Sequence, residues 1–149
     1  MDKNDKLNKD DKLNKDELDE IFVDENEPVD KPLIVDILRD YVKIDKQGII
    51  NFSDNYYNLN ENIRVLIYML CKKAMILKEI EGISEGCGPT EIHKNAYVNE
   101  TNAKHALYRD FKKFLKKVDG GYVIPNYNLR KIKQIILRDN KVKEHNTHK

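Results

Sequence analysis

With 149 residues, 36% charged, 40% apolar and no tryptophan, the chain has the size of one ordinary domain with a solvated tail, which argues against a multidomain enzyme. Its formal net charge of +1 hides an asymmetry: residues 1–30 hold 5 Lys against 12 Asp and Glu (net −7), residues 31–88 hold 8 basic and 8 acidic groups, and residues 89–149 hold 14 basic against 6 acidic groups (net +8), the electrostatic footprint of a polyanion binder. There is no run of 18 apolar residues and no basic-then-apolar start, so neither membrane insertion nor secretion is expected, and the expected compartment is the cytoplasm.

In chain order, residues 5–16 are the tandem repeat DKLNKD-DKLNKD, with Leu7 and Leu13 as the large apolar groups. Such a segment buries too little surface to offset its ordering entropy, so residues 1–30 are expected to be a disordered acidic head. Within it, residues 16–25 (DELDEIFVDE) place Leu18, Ile21 and Phe22 at i, i+3 and i+4, a short amphipathic face suited to a protein partner. Pro28 and Pro32 then punctuate the chain. Residues 31–59 are expected to form a helix over 32–42, on the period of Leu33, Ile34, Ile37, Leu38, Tyr41 and Val42, followed by a small hairpin turning at 45–48.

Residues 60–80 are predicted to be the longest helix, with Asn60 as N-cap and Glu61 in the first turn. Ile63, Leu66, Ile67, Leu70, Cys71, Ala74, Met75 and Leu77 make a broad apolar stripe, so this should be the core helix. Cys71 and Cys87 lie 16 positions apart without a C-x-x-C partner and are read as reduced thiols. Gly82, Gly86 and Gly88 break the chain, and Pro89 opens the next helix where its missing N–H costs nothing.

The informative stretch is residues 88–127, GPTEIHKNAYVNETNAKHALYRDFKKFLKKVDGGYVIPNY. It reads as a short helix (89–95), a tight turn (96–98), a second helix capped by Asn99 and extending to about 113, and a strand–Gly-Gly–strand hairpin. On PTEI, Val98-Asn99, Ala106-Leu107 and the run Asp119-Gly120-Gly121-Tyr122-Val123-Ile124-Pro125, residues 60–125 resemble the winged helix-turn-helix domains of prokaryotic, and especially archaeal, transcriptional regulators. The sequence departs from that pattern at Tyr97, where glycine is frequent, at Asp110-Phe111, where the apolar residue comes one place late, and in having no glycine to end the second helix. The resemblance implies a winged helix-turn-helix over 60–126 with a β-hairpin wing; together with the extra N-terminal helix-hairpin element, a C-terminal helix over 127–140 and a flexible tail over 141–149 read from the residues, the expected class is mainly α (α+β).

At 100° per residue, Ala103, Leu107, Phe111 and Phe114 fall on one side of the second helix, and Asn102, His105, Arg109, Lys112 and Lys116 on the other. A helix fits the major groove, where Arg pairs with guanine and Asn with adenine while Lys positions on phosphate. The expected partner is double-stranded DNA, contacted by Thr101, Asn102, His105, Arg109, Lys112, Lys113, Lys116 and Lys117, with backbone donors near Thr101 and Asn102 offered to a phosphate. The expected function is transcription regulation. The alternative is a winged-helix protein-interaction module of replication or transcription machinery.

Asn126 or Asn128 is expected to cap a last helix over 129–138, which either pairs two subunits or packs on its own core helix. The spacings of His93, His105, His145 and His148 match no zinc pattern, and no phosphate loop, nucleophile elbow or paired carboxylates stand out, so neither a metal, a cofactor nor an enzymatic activity is assigned.

Overall fold

A computed structural model of the chain describes residues 17–23 and 27–147, with side chains to 139. The tandem repeat and most of residues 1–30, on which disorder is expected, lie outside the described residues, as do His148 and the side chain of His145. Among the described residues the architecture is mixed α and β and mainly helical, with six α-helices and two two-stranded antiparallel hairpins. Residues Glu17–Ile21 form a 3-10 turn rather than an α-helical face, and Leu18, Ile21 and Phe22 are all exposed.

Helix α1 (Lys31–Leu38) is capped by Asp30, whose carboxylate accepts the Leu33 N–H at 3.0 Å, and Pro32 sits in its first turn. It stops short of the expected Val42 because Val42 leaves as the first residue of β1 (Val42–Ile44), which pairs with β2 (Ile50–Phe52) in the register Val42↔Phe52. Asp45 shapes the loop between them by accepting the N–H groups of Gln47 and Ile49. A one-turn helix α2 (Asp54–Tyr57), unforeseen in the sequence, follows.

The core helix α3 runs Glu61–Leu77. It ends where Glu79 turns to φ 57° and Ile80 N–H reaches back to the Met75 carbonyl at 3.1 Å. Asn60 occupies the N-cap position, but its side chain makes no cap; its amide donates instead to Asp139 at 2.6 Å, tying α3 to the last helix. Helix α4 (Pro89–Asn95) has the expected bounds, and α5 (Glu100–His105) begins at the Asn99 cap.

Beyond His105 the second helix departs from expectation. It continues through one π turn, Ala106–Asp110, closed by the Phe111 N–H on the Ala106 carbonyl at 2.9 Å, and stops there. A π turn accommodates one additional residue. The late arrival of Phe111 noted in the sequence is absorbed in this way, and Ala106, Leu107 and Phe111 are all buried. Lys112 and Lys113 therefore stand on a separate 3-10 turn, Lys112–Phe114, and not on the helix.

Strands β3 (Lys116–Val118) and β4 (Gly121–Val123) pair around a two-residue loop, Asp119-Gly120, so Gly121 belongs to the strand and not to the tip. Cys87 pairs with Tyr122 through N–H to O bonds of 3.1 and 2.9 Å, which fastens the hairpin to the segment between α3 and α4. That approach demands glycine. A Cβ on Gly121 would collide with the Cys87 carbonyl, and one on Gly86 would lie 2.7 Å from the Asp119 carbonyl.

The last helix, α6 (Leu129–Thr147), outruns both the expected end at 138 and the expected flexible tail, since no glycine or proline interrupts it. Asn128 directly precedes this helix and donates its amide to the Phe114 carbonyl, while Asn126 accepts from Lys73 and donates to the Glu27 carbonyl. One apolar cluster unites Ile34, Ile37 and Tyr41 of the N-terminal element with Leu66, Ile67 and Leu70 of α3, Ile92 of α4, Leu107, and Ile132 and Ile136 of α6. Residues 31–59 thus share the core of the remainder.

Candidate nucleic-acid interface

The helix α5 presents its N-terminus at a corner built from three elements. Asn99 Oδ1 accepts the N–H groups of Thr101 (2.9 Å) and Asn102 (3.4 Å), so the two backbone donors expected to hold a phosphate are occupied by the helix's own cap. Glu61 at the start of α3 accepts the Asn99 N–H through one oxygen (2.8 Å) and the Asn102 side-chain amide through the other. Thr90 of α4 donates to Glu100 at 2.8 Å. The acid at the start of α3 is thus a clamp on the second helix, and it engages the amide that adenine recognition would require.

Behind this corner, α4 is strapped to α3 by a polar network. Tyr68 Oη and Lys72 Nζ both donate to Glu91 Oε2 at 2.6 Å, while Lys73 pairs with Glu85 at 3.0 Å. Lys72 and Lys73 are only 7% and 6% exposed, and lysines buried so far require such partners. Burial and the hydrogen bond to Glu91 push the Tyr68 hydroxyl well above its ordinary range. His93 is held to the Val98 carbonyl through Nδ1 at 2.8 Å, which makes Nδ1 the protonated nitrogen.

Thr101, Asn102, His105, Arg109, Lys112, Lys113, Lys116 and Lys117 are all exposed. Thr101, His105 and Arg109 follow one another along the outward side of the helix whose inward side buries Ala103, Ala106 and Leu107. Arg109 pairs with its neighbour Asp110, at 3.2 Å, with 70% of its side chain exposed, a pairing too solvated to hold it back from another anion.

Lys116 and Lys117 lie on opposite faces of the hairpin. Successive strand residues point to opposite faces, and Lys117 is the cross-strand partner of Tyr122 whereas Lys116 opposes Val123. Tyr122 in turn meets Tyr108, the neighbour of Arg109, with ring centroids 5.8 Å apart. The helix end and the hairpin therefore share one face carrying Tyr108, Tyr122 and Lys117, and Lys116 is directed to the other side. Lys113 folds over Phe114, where Lys131 of α6 also approaches, at 5.1 and 6.0 Å from the ring centre.

No family model, curated protein or solved structure matches the chain. Residue placement is therefore what bears on the site. Tyr108 and Tyr122 were not singled out in the sequence, although the Asp119-Gly120 loop, once recognised as two residues long, pairs position 117 with 122. Glu61 carried no local signal, because its partners lie some forty residues away. Among the described residues no group of three His, Cys, Asp or Glu side chains is placed to hold a metal ion, and no helix is long and apolar enough to cross a membrane.

Proposed function

We propose that this chain is a DNA-binding protein of the winged helix-turn-helix type, acting in transcriptional control, with α5 and its π turn entering the major groove and the β3–β4 hairpin beside the backbone. The supporting observation is the outward row Thr101, His105 and Arg109 on a helix whose opposite side is wholly buried, with Lys117 on the hairpin face that adjoins Arg109 through Tyr108 and Tyr122. In this reading Arg109 reads a guanine edge and Lys117 and Lys112 rest on phosphates.

The test is fluorescence anisotropy of a random duplex library at several salt concentrations, with the Arg109→Ala/Lys112→Ala double variant alongside. Binding that falls steeply with salt and is lost in the variant supports the proposal. A folded protein that binds no duplex even at low salt and with residues 1–26 removed overturns it in favour of the second reading, a winged-helix protein-interaction module. That reading draws on the Glu61 carboxylate at the α5 N-terminus, which disfavours a phosphate there.

A further inference from the structure

Tyr97, in the turn between α4 and α5, has a φ of 57°, a region that favours glycine and penalises a bulky aromatic. Its ring is nonetheless 62% exposed, so the core does not require it there. It stands edge-on to Tyr57 of α2, itself 42% exposed, with centroids 5.3 Å apart, and to Phe52 at 5.8 Å. Arg64 fixes both tyrosines through their backbones, its two Nη groups donating to the carbonyls of Tyr97 (2.8 Å) and Tyr57 (2.6 Å) while its guanidinium lies over the Tyr56 ring. The two exposed rings are thus held as a rigid pair.

Three carboxylates neighbour this pair in the chain, against the single positive charge of Arg64 at its backbones. Asp54 lies three residues before Tyr57 on the single turn of α2, hence on the same side; it is exposed, and it has no ion-pair partner among the described residues. Glu61 lies one turn before Arg64, and Glu100 three residues after Tyr97. The guanidinium of Arg64 donates to the two carbonyls and keeps its positive charge, which lies over the Tyr56 ring. Aromatic faces beside an unpaired carboxylate attract a cation and repel a phosphate chain, and a planar guanidinium stacks on tyrosine better than a compact ammonium does.

We propose that Tyr57, Tyr97 and Asp54 form a docking site for an arginine side chain on a basic segment of a partner protein. This site lies at the turn before α5, on residues other than those of the cationic row, and does not depend on the DNA-binding reading.

The test is an NMR titration of the full chain with a synthetic peptide of alternating arginine and glycine, alongside an alternating glutamate and glycine peptide and a short oligothymidine. The arginine peptide is expected to shift the amides of Tyr57, Asn58, Tyr97 and Val98, with its Kd about fivefold higher in Tyr97→Gly and in Asp54→Asn. Glycine suits the backbone at position 97, so Tyr97→Gly should melt no lower than the parent, which separates loss of binding from loss of fold. Peptide shifts confined to other parts of the molecule, or an affinity in both variants equal to that of the parent, would overturn the proposal. So would an oligothymidine that shifts these amides more strongly than the peptide, since the rings would then be stacking on bases.

Discussion

Cys87 illustrates how little of a residue's behaviour lies in its type. Its thiol is fully buried, and burial, reinforced by the Glu91 carboxylate and opposed by Lys72, pushes its pKa from the ordinary 9.0 up to about 12. Cys71 is raised by burial alone. Both should be inert to a thiol reagent at pH 8 and react only once the chain is unfolded. The raised value also sets the sign of a stability change. The folded thiol keeps a proton that the unfolded thiol releases above pH 9, so its contribution is whole below pH 9 and declines as the pH rises toward 12. Urea midpoints should therefore fall between pH 8 and pH 10.5, with Cys87 adding a slope of at most about 1.4 kcal/mol per pH unit. A shallower alkaline decline in Cys87→Ala than in the parent checks the assignment; equal slopes would refute it.

At the scale of elements, the hairpin is placed by a backbone contact and its lysines are sorted by register. Gly121→Ala should cost about 3 kcal/mol or more, because the added methyl collides with the Cys87 carbonyl at a position whose φ of 138° already excludes side chains. Gly82→Ala, which also has a positive φ but open space around it, should cost only about 1 kcal/mol. Chemical denaturation of the two variants separates collision from backbone strain. In duplex binding, Lys117→Ala should lower the slope of log K against log salt by about one, as expected for a lost phosphate contact, while Lys116→Ala should leave it unchanged. Equal effects would mean that the face shared with Tyr108 and Tyr122 is not the one that meets DNA. The distinction could not be drawn from the sequence by treating residues 100–116 as one continuous helix. What was legible there rested on local chemistry: Gly88-Pro89 starting α4, Asn99 capping α5, and the paired glycines marking the hairpin. The π turn, the Glu61 clamp and the buried Lys72 and Lys73 arise from packing between distant segments. Phe111, displaced by one place, was a visible symptom whose cause lay in the core.

For the whole molecule the governing feature is the separation of charge, net −7 over residues 1–30 against net +8 over residues 89–149. The point where the head joins the fold matters here. Glu27 is held through its carbonyl by Asn126, just after β4, and Val29 packs against the core, so the end of the head is fixed beside the chain that leaves the hairpin. Twenty-six residues span at most about 90 Å when extended, ample to cover the cationic face. Opposite charges on one chain meet at an effective concentration that a separate ligand must outcompete, and they are screened beyond roughly 10 Å at 0.1 M salt. Removing residues 1–26, while keeping the Glu27 and Asp30 contacts that hold α1, should therefore tighten duplex binding at low salt, with the gain shrinking as salt is raised. Anisotropy titrations of the two forms at 50 and 300 mM salt, roughly spanning weak to strong screening, supply the measurement. Equal affinity at low salt would show that the head does not compete for the DNA face. A gain that persists undiminished at high salt would point to steric cover rather than charge.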